Sequence, residues 1–128
     1  MTAPRQAFEY AVLRAVPRVD RGEFVNVGVV LYCQATDFLA ARSHIDPARL
    51  RALDDAVDLA ALEGALTAVA VVCAADPAAG PVGEQPPGAR FRWLAAPRST
   101  VVQAGPVHAG LSEDPAHELD RIFDLLVR

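Results

Sequence analysis

The sequence contains no lysine, so its positive charge rests on arginine. Its 12 arginines are outnumbered by 16 acidic residues, which gives a net charge of −4. A general nucleic-acid-binding protein is usually basic, so this balance argues against that class without excluding it. The charge is also uneven along the chain: residues 54–76 hold five acids and no arginine, whereas residues 89–111 hold three arginines and no acid.

Cysteine is scarce as well. Only Cys33 and Cys73 are present, and each lies inside an apolar stretch. Neither has a histidine at metal-ligand spacing, and both fit the role of a small buried hydrophobic residue in a reducing compartment. We therefore expect no metal and no other cofactor.

Long apolar runs are also missing. The N-terminal segment MTAPRQAFEY lacks the apolar stretch of a signal peptide. The longest apolar candidate is interrupted by Asp58, Glu63 and Asp76, and it falls short of the roughly 20 residues of a membrane helix. We expect a cytoplasmic protein with no membrane-spanning segment. A chain of 128 residues is long enough for one core and predicts a single domain over residues 1–128.

The segment from Gly22 to Cys33 predicts a central β-strand. Because side chains alternate along a strand, its odd positions share one apolar face: Val25, Val27, Val29, Leu31 and Cys33. We expect that face to pack against the apolar stripe of a later helix, formed by Leu59, Leu62, Leu66 and Val69. Gly28 weakens a strand unless something needs the space. We therefore expect a bulge at Gly28, or a large side chain such as Tyr10 or Trp93 packed over it.

The remaining patterns predict an α+β fold. Further strands are expected at residues 8–18, 38–44 and 99–103, and residues 106–110 are expected to be extended. Helices are expected to begin at Asp46-Pro47, near Asp58 and at Ser112 or Asp114. Residues 76–88 read DPAAGPVGEQPPG, and this content of proline and glycine predicts a flexible loop. Residues 89–94 are ambiguous. We expect an antiparallel sheet of about four strands with helices packed mainly on one face.

The common catalytic motifs are absent from the sequence. It contains no Walker loop, no GxSxG, no HExxH and no CxxC. Ser99, with His108 as its base, forms a nucleophilic pair only if the fold brings the two side chains into contact. The sequence therefore favours binding over catalysis.

Eight polar residues from two segments form the candidate binding site. They are Arg18, Arg21, Glu23, Asn26, Arg90, Arg98, Ser99 and His108. If the fourth strand lies beside the first hairpin, these residues converge. Glu23 then orients one arginine, and the other arginines meet an anion or the carboxylate of a partner. The alternative is structural: Glu23 and one arginine form a buried ion pair, and Asn26 satisfies a turn.

Several motifs taken together resemble those of a bacterial family. They are Tyr10, Pro17, Gly22-Glu23, Asn26, Gly28-Val29, Arg90-Phe91-x-Trp93-Leu94, Pro97-Arg98-Ser99 and Val107-His108-x-Gly110-Leu111. Over nearly the whole chain, this combination resembles the family catalogued as domain of unknown function 3037. The resemblance implies a small, cytoplasmic, single-domain protein whose gene tends to lie beside that of a HipA-like serine/threonine kinase of the toxin–antitoxin kind. It implies no biochemical activity.

Two functions of different classes follow. The first is a non-enzymatic interaction module that binds a partner protein, such as a HipA-like kinase, through its sheet face or an edge strand. The second is a binder or processor of a phosphate-bearing ligand, nucleotide or nucleic acid, that uses the arginines. Ion-paired arginines beside an exposed apolar patch would favour the first function, and solvent-facing arginines around a concave pocket would favour the second.

Overall fold

The computed structural model describes residues 4–128, and its strands form one antiparallel sheet. The strands of this part of the chain are β1 (Gln6–Ala15), β2 (Val25–Cys33), β3 (Phe38–Ser43), β4 (Val102–Ala104) and β5 (His108–Ser112). Their order is β3-β2-β1-β4, and β5 pairs with the N-terminal half of β1. Strand β2 pairs with one edge of β1 over much of the length of β1. Strands β4 and β5 therefore both pair with the other edge of β1.

Three of the four α-helices described below begin at aspartate caps. Between residues 4 and 128 they are α1 (Pro47–Leu53), α2 (Leu59–Cys73), α3 (Pro87–Ala95) and α4 (Pro115–Leu126), with 3₁₀ turns at Gln34–Thr36 and Pro77–Glu84. The side chains of Asp46, Asp58 and Asp114 accept hydrogen bonds from backbone N–H groups in the first turns of α1, α2 and α4. Each cap satisfies donors that the helix itself leaves unpaired. The predicted helix starts are therefore confirmed.

The predicted α+β class is confirmed, with five strands among the described residues. The additional strand is β5, where the sequence indicated only an extended segment before a turn. Helices α1, α2 and α3 contribute to one core, and α4 contributes to a second core. Three of the four α-helices thus lie on one face of the sheet and α4 lies on the other.

A β-bulge divides β2 into two halves. Leu13 of β1 pairs with Gly28, but the next residue, Arg14, pairs with Asn26. Val27 is therefore an extra residue in β2 with no partner of its own on β1. The bulge expected at Gly28 is confirmed.

Backbone from the neighbouring strand fills the space above Gly28. A Cβ atom at this position would lie 2.8 Å from the carbonyl oxygen of Arg42 on β3. The close neighbour is thus the β3 backbone, and not the ring of Tyr10 or Trp93. Only glycine allows the two strands to approach this closely.

The bulge also changes which face each side chain occupies. Val25 and Val27 belong to the core that includes α2, whereas Val29, Leu31 and Cys33 belong to the core that includes α4. The expectation that all five side chains share one face and pack against the stripe on α2 is wrong. It failed because one extra residue inverts the alternation of every residue that follows.

Residues 76–88 are largely helical, in contrast to the loop that their composition predicted. Pro77–Glu84 forms 3₁₀ turns interrupted at Gly80, and α3 begins at Pro87. Gly83 is buried within these turns. The ambiguous residues 89–94 belong to α3, so the chain from the end of α2 to α3 is a nearly continuous series of helical turns.

Helix α2 is the longest helix in residues 4–128, and it ends in a left-handed residue. At its C-terminus, Ala75 has a φ of 53°, and the N–H groups of Ala75 and Asp76 donate to the carbonyls of Val72 and Val71. This pattern is a Schellman motif. In residues 4–128 no single helix is long and apolar enough to cross a membrane; only α2 joined to Pro77–Glu84 across a 54° bend has that length and composition.

Gly28→Ala should destabilise the domain by about 2–3 kcal/mol, because its Cβ atom would collide with the backbone of β3. Gly64→Ala is the matched control, since nothing lies within 4 Å of its Cβ position on the exposed side of α2. The control should gain about 0.5–1 kcal/mol from helix propensity. Urea unfolding of both variants measures the difference. Wild-type stability of Gly28→Ala would contradict the close approach of Gly28 to the backbone of β3.

Candidate functional site

The hairpin loop between β1 and β2 carries three of the predicted site residues. Nε of Arg21 lies 2.7 Å from a carboxylate oxygen of Glu23, and Nη2 of Arg18 lies 2.8 Å from one of Asp20. The hydrogen bond from Arg18 lowers the pKa of Asp20. Both pairs are solvent-exposed, so each contributes little to stability. Their effect is to neutralise both arginines locally.

Two exposed apolar side chains lie between and beside these ion pairs. Val19 is 47% exposed and Phe24 is 46% exposed. The loop that holds them is a defined turn, because the Arg18 carbonyl accepts hydrogen bonds from the N–H groups of Arg21 and Gly22. Gly22 has a φ of 73°, a conformation that favours glycine. We name this region the hairpin surface: Val19, Phe24 and the pairs Arg18–Asp20 and Arg21–Glu23.

Arg90 is buried, with 8% of the residue exposed. Its Nη1 donates to the carbonyls of Val72 and Cys73 at 2.8 and 2.7 Å, and its Nε donates to the carbonyl of Gln85 at 3.0 Å. The positive charge thus lies at the C-terminus of α2, where the helix dipole favours a cation. Arg90 fastens α2 to α3, and it is not on the surface that carries Arg18 and Arg21.

Arg98 contacts the end of α3. Its guanidinium donates to the carbonyls of Trp93 and Leu94 and lies 4.2 Å from the centre of the Trp93 ring. A cation on the face of an indole is a favourable contact, so these interactions hold Arg98 against the C-terminal end of α3. Asn26 likewise has a structural contact, because its Nδ2 donates to the carbonyl of Leu126 and ties β2 to α4.

Ser99 and His108 are far apart along the sheet. His108 pairs with Tyr10, with the two ring centres 5.2 Å apart, whereas the carbonyl of Val101 accepts from the N–H of Val16. The strand from Tyr10 to Val16 spans about 20 Å at its usual rise per residue. The nucleophilic pair considered from the sequence is therefore not formed, and the eight predicted residues do not meet in one cluster.

Arg14 is a residue that sequence reasoning missed. It lies in β1 between the apolar residues Leu13 and Ala15. Its partner on β2 is Asn26, and its partner on β4 is Gln103. Leu13 and Ala15 belong to the core that includes α2, so Arg14 points to the opposite face. An arginine flanked by the apolar residues Leu13 and Ala15 near the end of an inner strand was the signal that could have identified it.

The Arg14 guanidinium lies between an aromatic ring and a glycine. Its Cζ atom is 4.2 Å from the centre of the Phe24 ring, and a Cβ atom on Gly105 would lie 3.0 Å from the same Cζ atom. No ion pair among residues 4–128 includes Arg14. Its Nε is buried and has no hydrogen-bond partner, which costs about 1–3 kcal/mol. We name this arrangement the Arg14 site: Arg14, Phe24, Asn26, Gln103 and Gly105.

The described residues offer little for nucleophilic or metal chemistry. Burial raises the pKa of the Cys73 thiol to about 11, so this thiol is protonated at neutral pH. Cys33 is buried in the core that includes α4. Residues 4–128 contain no group of three or more His, Cys, Asp or Glu placed to hold a metal ion.

Arg90→Met should lower the free energy of unfolding by about 2–4 kcal/mol, because one buried and two partly buried carbonyl groups lose a charged donor. Arg51→Met, at an exposed position in the last turn of α1, is the control and should change stability by about 0.5 kcal/mol or less. Chemical denaturation of the two variants measures the effect. Equal stability of the two variants would show that Arg90 does not fasten the helices.

Comparison with known proteins identifies a family for nearly the whole chain. A family model described as "Protein of unknown function (DUF3037)" matches residues 10–127, from within β1 to the residue after α4. No curated protein and no solved structure matches the chain. The match includes the hairpin surface, the bulge at Gly28 and the Arg14 site. The chain belongs to the family Protein of unknown function (DUF3037).

Proposed function

We propose that this domain is a non-enzymatic interaction module that binds a partner protein through the hairpin surface. The observation that carries the proposal is the arrangement of the loop: two arginines are ion-paired with their own neighbours, beside two exposed apolar side chains. Solvent-facing arginines around a pocket would have favoured a phosphate ligand instead. Ion-paired arginines next to apolar surface favour protein binding.

The composition of the hairpin surface suits a protein interface. Interfaces typically have an apolar or aromatic centre that is dehydrated on binding and a charged rim that stays wet. Phe24 supplies the centre, with Val19 beside it, and the two ion pairs supply the rim. Aromatic residues and arginines also contribute more than their share of binding free energy.

The alternative function, a binder of a phosphate-bearing ligand, has weaker support. It requires Arg18, Arg21, Arg90 and Arg98 to converge on one anion. Arg18 and Arg21 already contact carboxylates, and Arg90 and Arg98 already donate to backbone carbonyls. Each of these contacts would have to break before the arginine could hold a phosphate, and this adds a free-energy cost to binding.

We further propose a HipA-like serine/threonine kinase as the partner, in the cytoplasm of a bacterium and in a toxin–antitoxin context. This part of the proposal rests on the gene neighbourhood implied by the family. A kinase domain presents acidic surface that an arginine can grip through two hydrogen bonds. The guanidinium groups of Arg18 and Arg21 are about half exposed, so each can donate to an acidic group of the kinase while it keeps its own carboxylate partner.

Phe24→Ala should weaken binding to the kinase encoded beside this gene by about tenfold or more, because it removes the apolar centre of the interface. Calorimetric titration of the purified domain against that kinase measures the affinity. The titration is repeated at a higher salt concentration, where a charged rim should lower the affinity modestly. Thermal melts verify that each variant is folded.

Leu111→Ala is the matched control for this titration. Leu111 is 56% exposed, but it lies on β5 opposite Ala7, at the end of β1 remote from the hairpin. This variant should bind as the wild type does. If the wild-type domain shows no binding, the kinase is not its partner; if Leu111→Ala weakens binding and Phe24→Ala does not, the partner binds elsewhere.

A further inference from the structure

The Arg14 site has an uncompensated positive charge with a fixed orientation. Arg92 contacts the carboxylate of Glu9, and Arg90 contacts backbone carbonyls. Arg14 contacts neither; an aromatic ring covers one face of its guanidinium and Gly105 lies close by. Stacking of this kind holds the guanidinium plane without occupying its hydrogen-bond donors.

The burial of Nε determines how an anion can approach Arg14. Since Nε is inaccessible, only the two terminal amino groups, Nη1 and Nη2, can donate to a ligand. Their parallel N–H groups match the two oxygens of one carboxylate, in the end-on bidentate geometry. Because no water contacts Nε, the guanidinium group is partly dehydrated. This strengthens its attraction to an anion that binds at Nη1 and Nη2.

The residues around Arg14 favour a carboxylate over a phosphate. The residues that pair with Arg14 on the two neighbouring strands, Asn26 and Gln103, are both neutral, so they add no second positive charge. The nearby loop arginines are already neutralised by Asp20 and Glu23. A phosphate group carries close to two negative charges at neutral pH and is usually held by several cationic or N–H donors. One guanidinium balances the single charge of a carboxylate.

We propose that the Arg14 site binds a carboxylate group, which it holds through Nη1 and Nη2 against the stacked ring of Phe24. This assignment goes beyond the proposed docking function and does not depend on the identity of the partner. A small carboxylate ligand and the side chain of an Asp or Glu residue share the required chemistry. Because Phe24 also belongs to the hairpin surface, a bound protein with an acidic residue at this place would engage both features.

Nuclear magnetic resonance titration of the ¹⁵N-labelled domain with sodium acetate tests the proposal. Sodium chloride at equal ionic strength is the control salt, and inorganic phosphate is the competing anion. The reporters are the Nε–H signal of Arg14 and the backbone amide of Gly105. The Nε–H signal of Arg51, which is exposed in the last turn of α1, is the internal reference for a surface arginine. We expect acetate to shift the Arg14 signals saturably and about tenfold more tightly than that of Arg51.

Two variants separate bidentate binding from simple charge attraction. Arg14→Lys keeps the charge but lacks the paired donors, so acetate should no longer shift Gly105 saturably. Phe24→Leu removes the stacking ring and should weaken acetate binding several-fold, in a domain that retains its wild-type amide spectrum elsewhere. Arg51→Lys should leave the titration unchanged.

A blocked glycine-glutamate-glycine peptide distinguishes the two sources of the carboxylate. Binding of this peptide at least as tight as that of acetate assigns the site to an acidic side chain of a protein. Binding of acetate alone assigns it to a small ligand. The proposal is overturned if Arg14 binds acetate no more tightly than Arg51 does, if Arg14→Lys binds as well as the wild type, or if phosphate binds more tightly than acetate.

Discussion

The close approach of Gly28 to the backbone of β3 is the constraint on which the rest of the fold depends. No side chain fits at this point, because a Cβ atom on residue 28 would lie 2.8 Å from the Arg42 carbonyl oxygen. Immediately before it, Val27 is the extra residue of the bulge. The strand therefore presents Val25 and Val27 to the core that includes α2, and Val29 and Leu31 to the core that includes α4. One strand thus supplies apolar side chains to both cores.

The same bulge arranges part of the Arg14 site. It places Asn26 opposite Arg14, on the face where Asn26 donates to the end of α4. Phe24 lies two residues earlier in the chain and stacks on the Arg14 guanidinium. Without the extra residue, side chains would alternate regularly between the two faces along the whole of β2. Asn26 would then lie on the face opposite to Val29 and Leu31. The placement of Asn26 beside Arg14 is therefore a consequence of one backbone irregularity.

Local signals in the sequence predicted much of the fold. The caps at Asp46, Asp58 and Asp114 act on neighbouring N–H groups, so their effect is visible in the sequence. Gly28 also indicated the bulge. The sequence could not show which residue was extra, because that depends on the pairing of β2 with strands on both sides. The helical form of residues 76–88 was likewise hidden, since it depends in part on long-range hydrogen bonds from Arg90.

The candidate site was less predictable than the fold. Arginine and glutamate at positions 21 and 23 were correctly identified as polar residues of one hairpin, but sequence could not tell that they pair with each other at the surface. Arg90 was indistinguishable from a surface cation until the end of α2 was placed beside it. Arg14 was overlooked because its contacts, Phe24 and Gly105, are 10 and 91 positions away in the chain. For Arg90 and Arg14, in contrast to Arg21, the deciding contacts are distant in the chain.

The most direct test of docking at the hairpin surface is hydrogen–deuterium exchange of the domain with and without the neighbouring kinase. We expect slower exchange in residues 17–26 and 100–106, which hold the hairpin surface and the chain beside Arg14, with α2 unchanged. Such a footprint reports the location of the contact without any substitution. Protection confined to α2 and α3, or none anywhere, would contradict the proposal that the hairpin surface is the docking surface for this kinase.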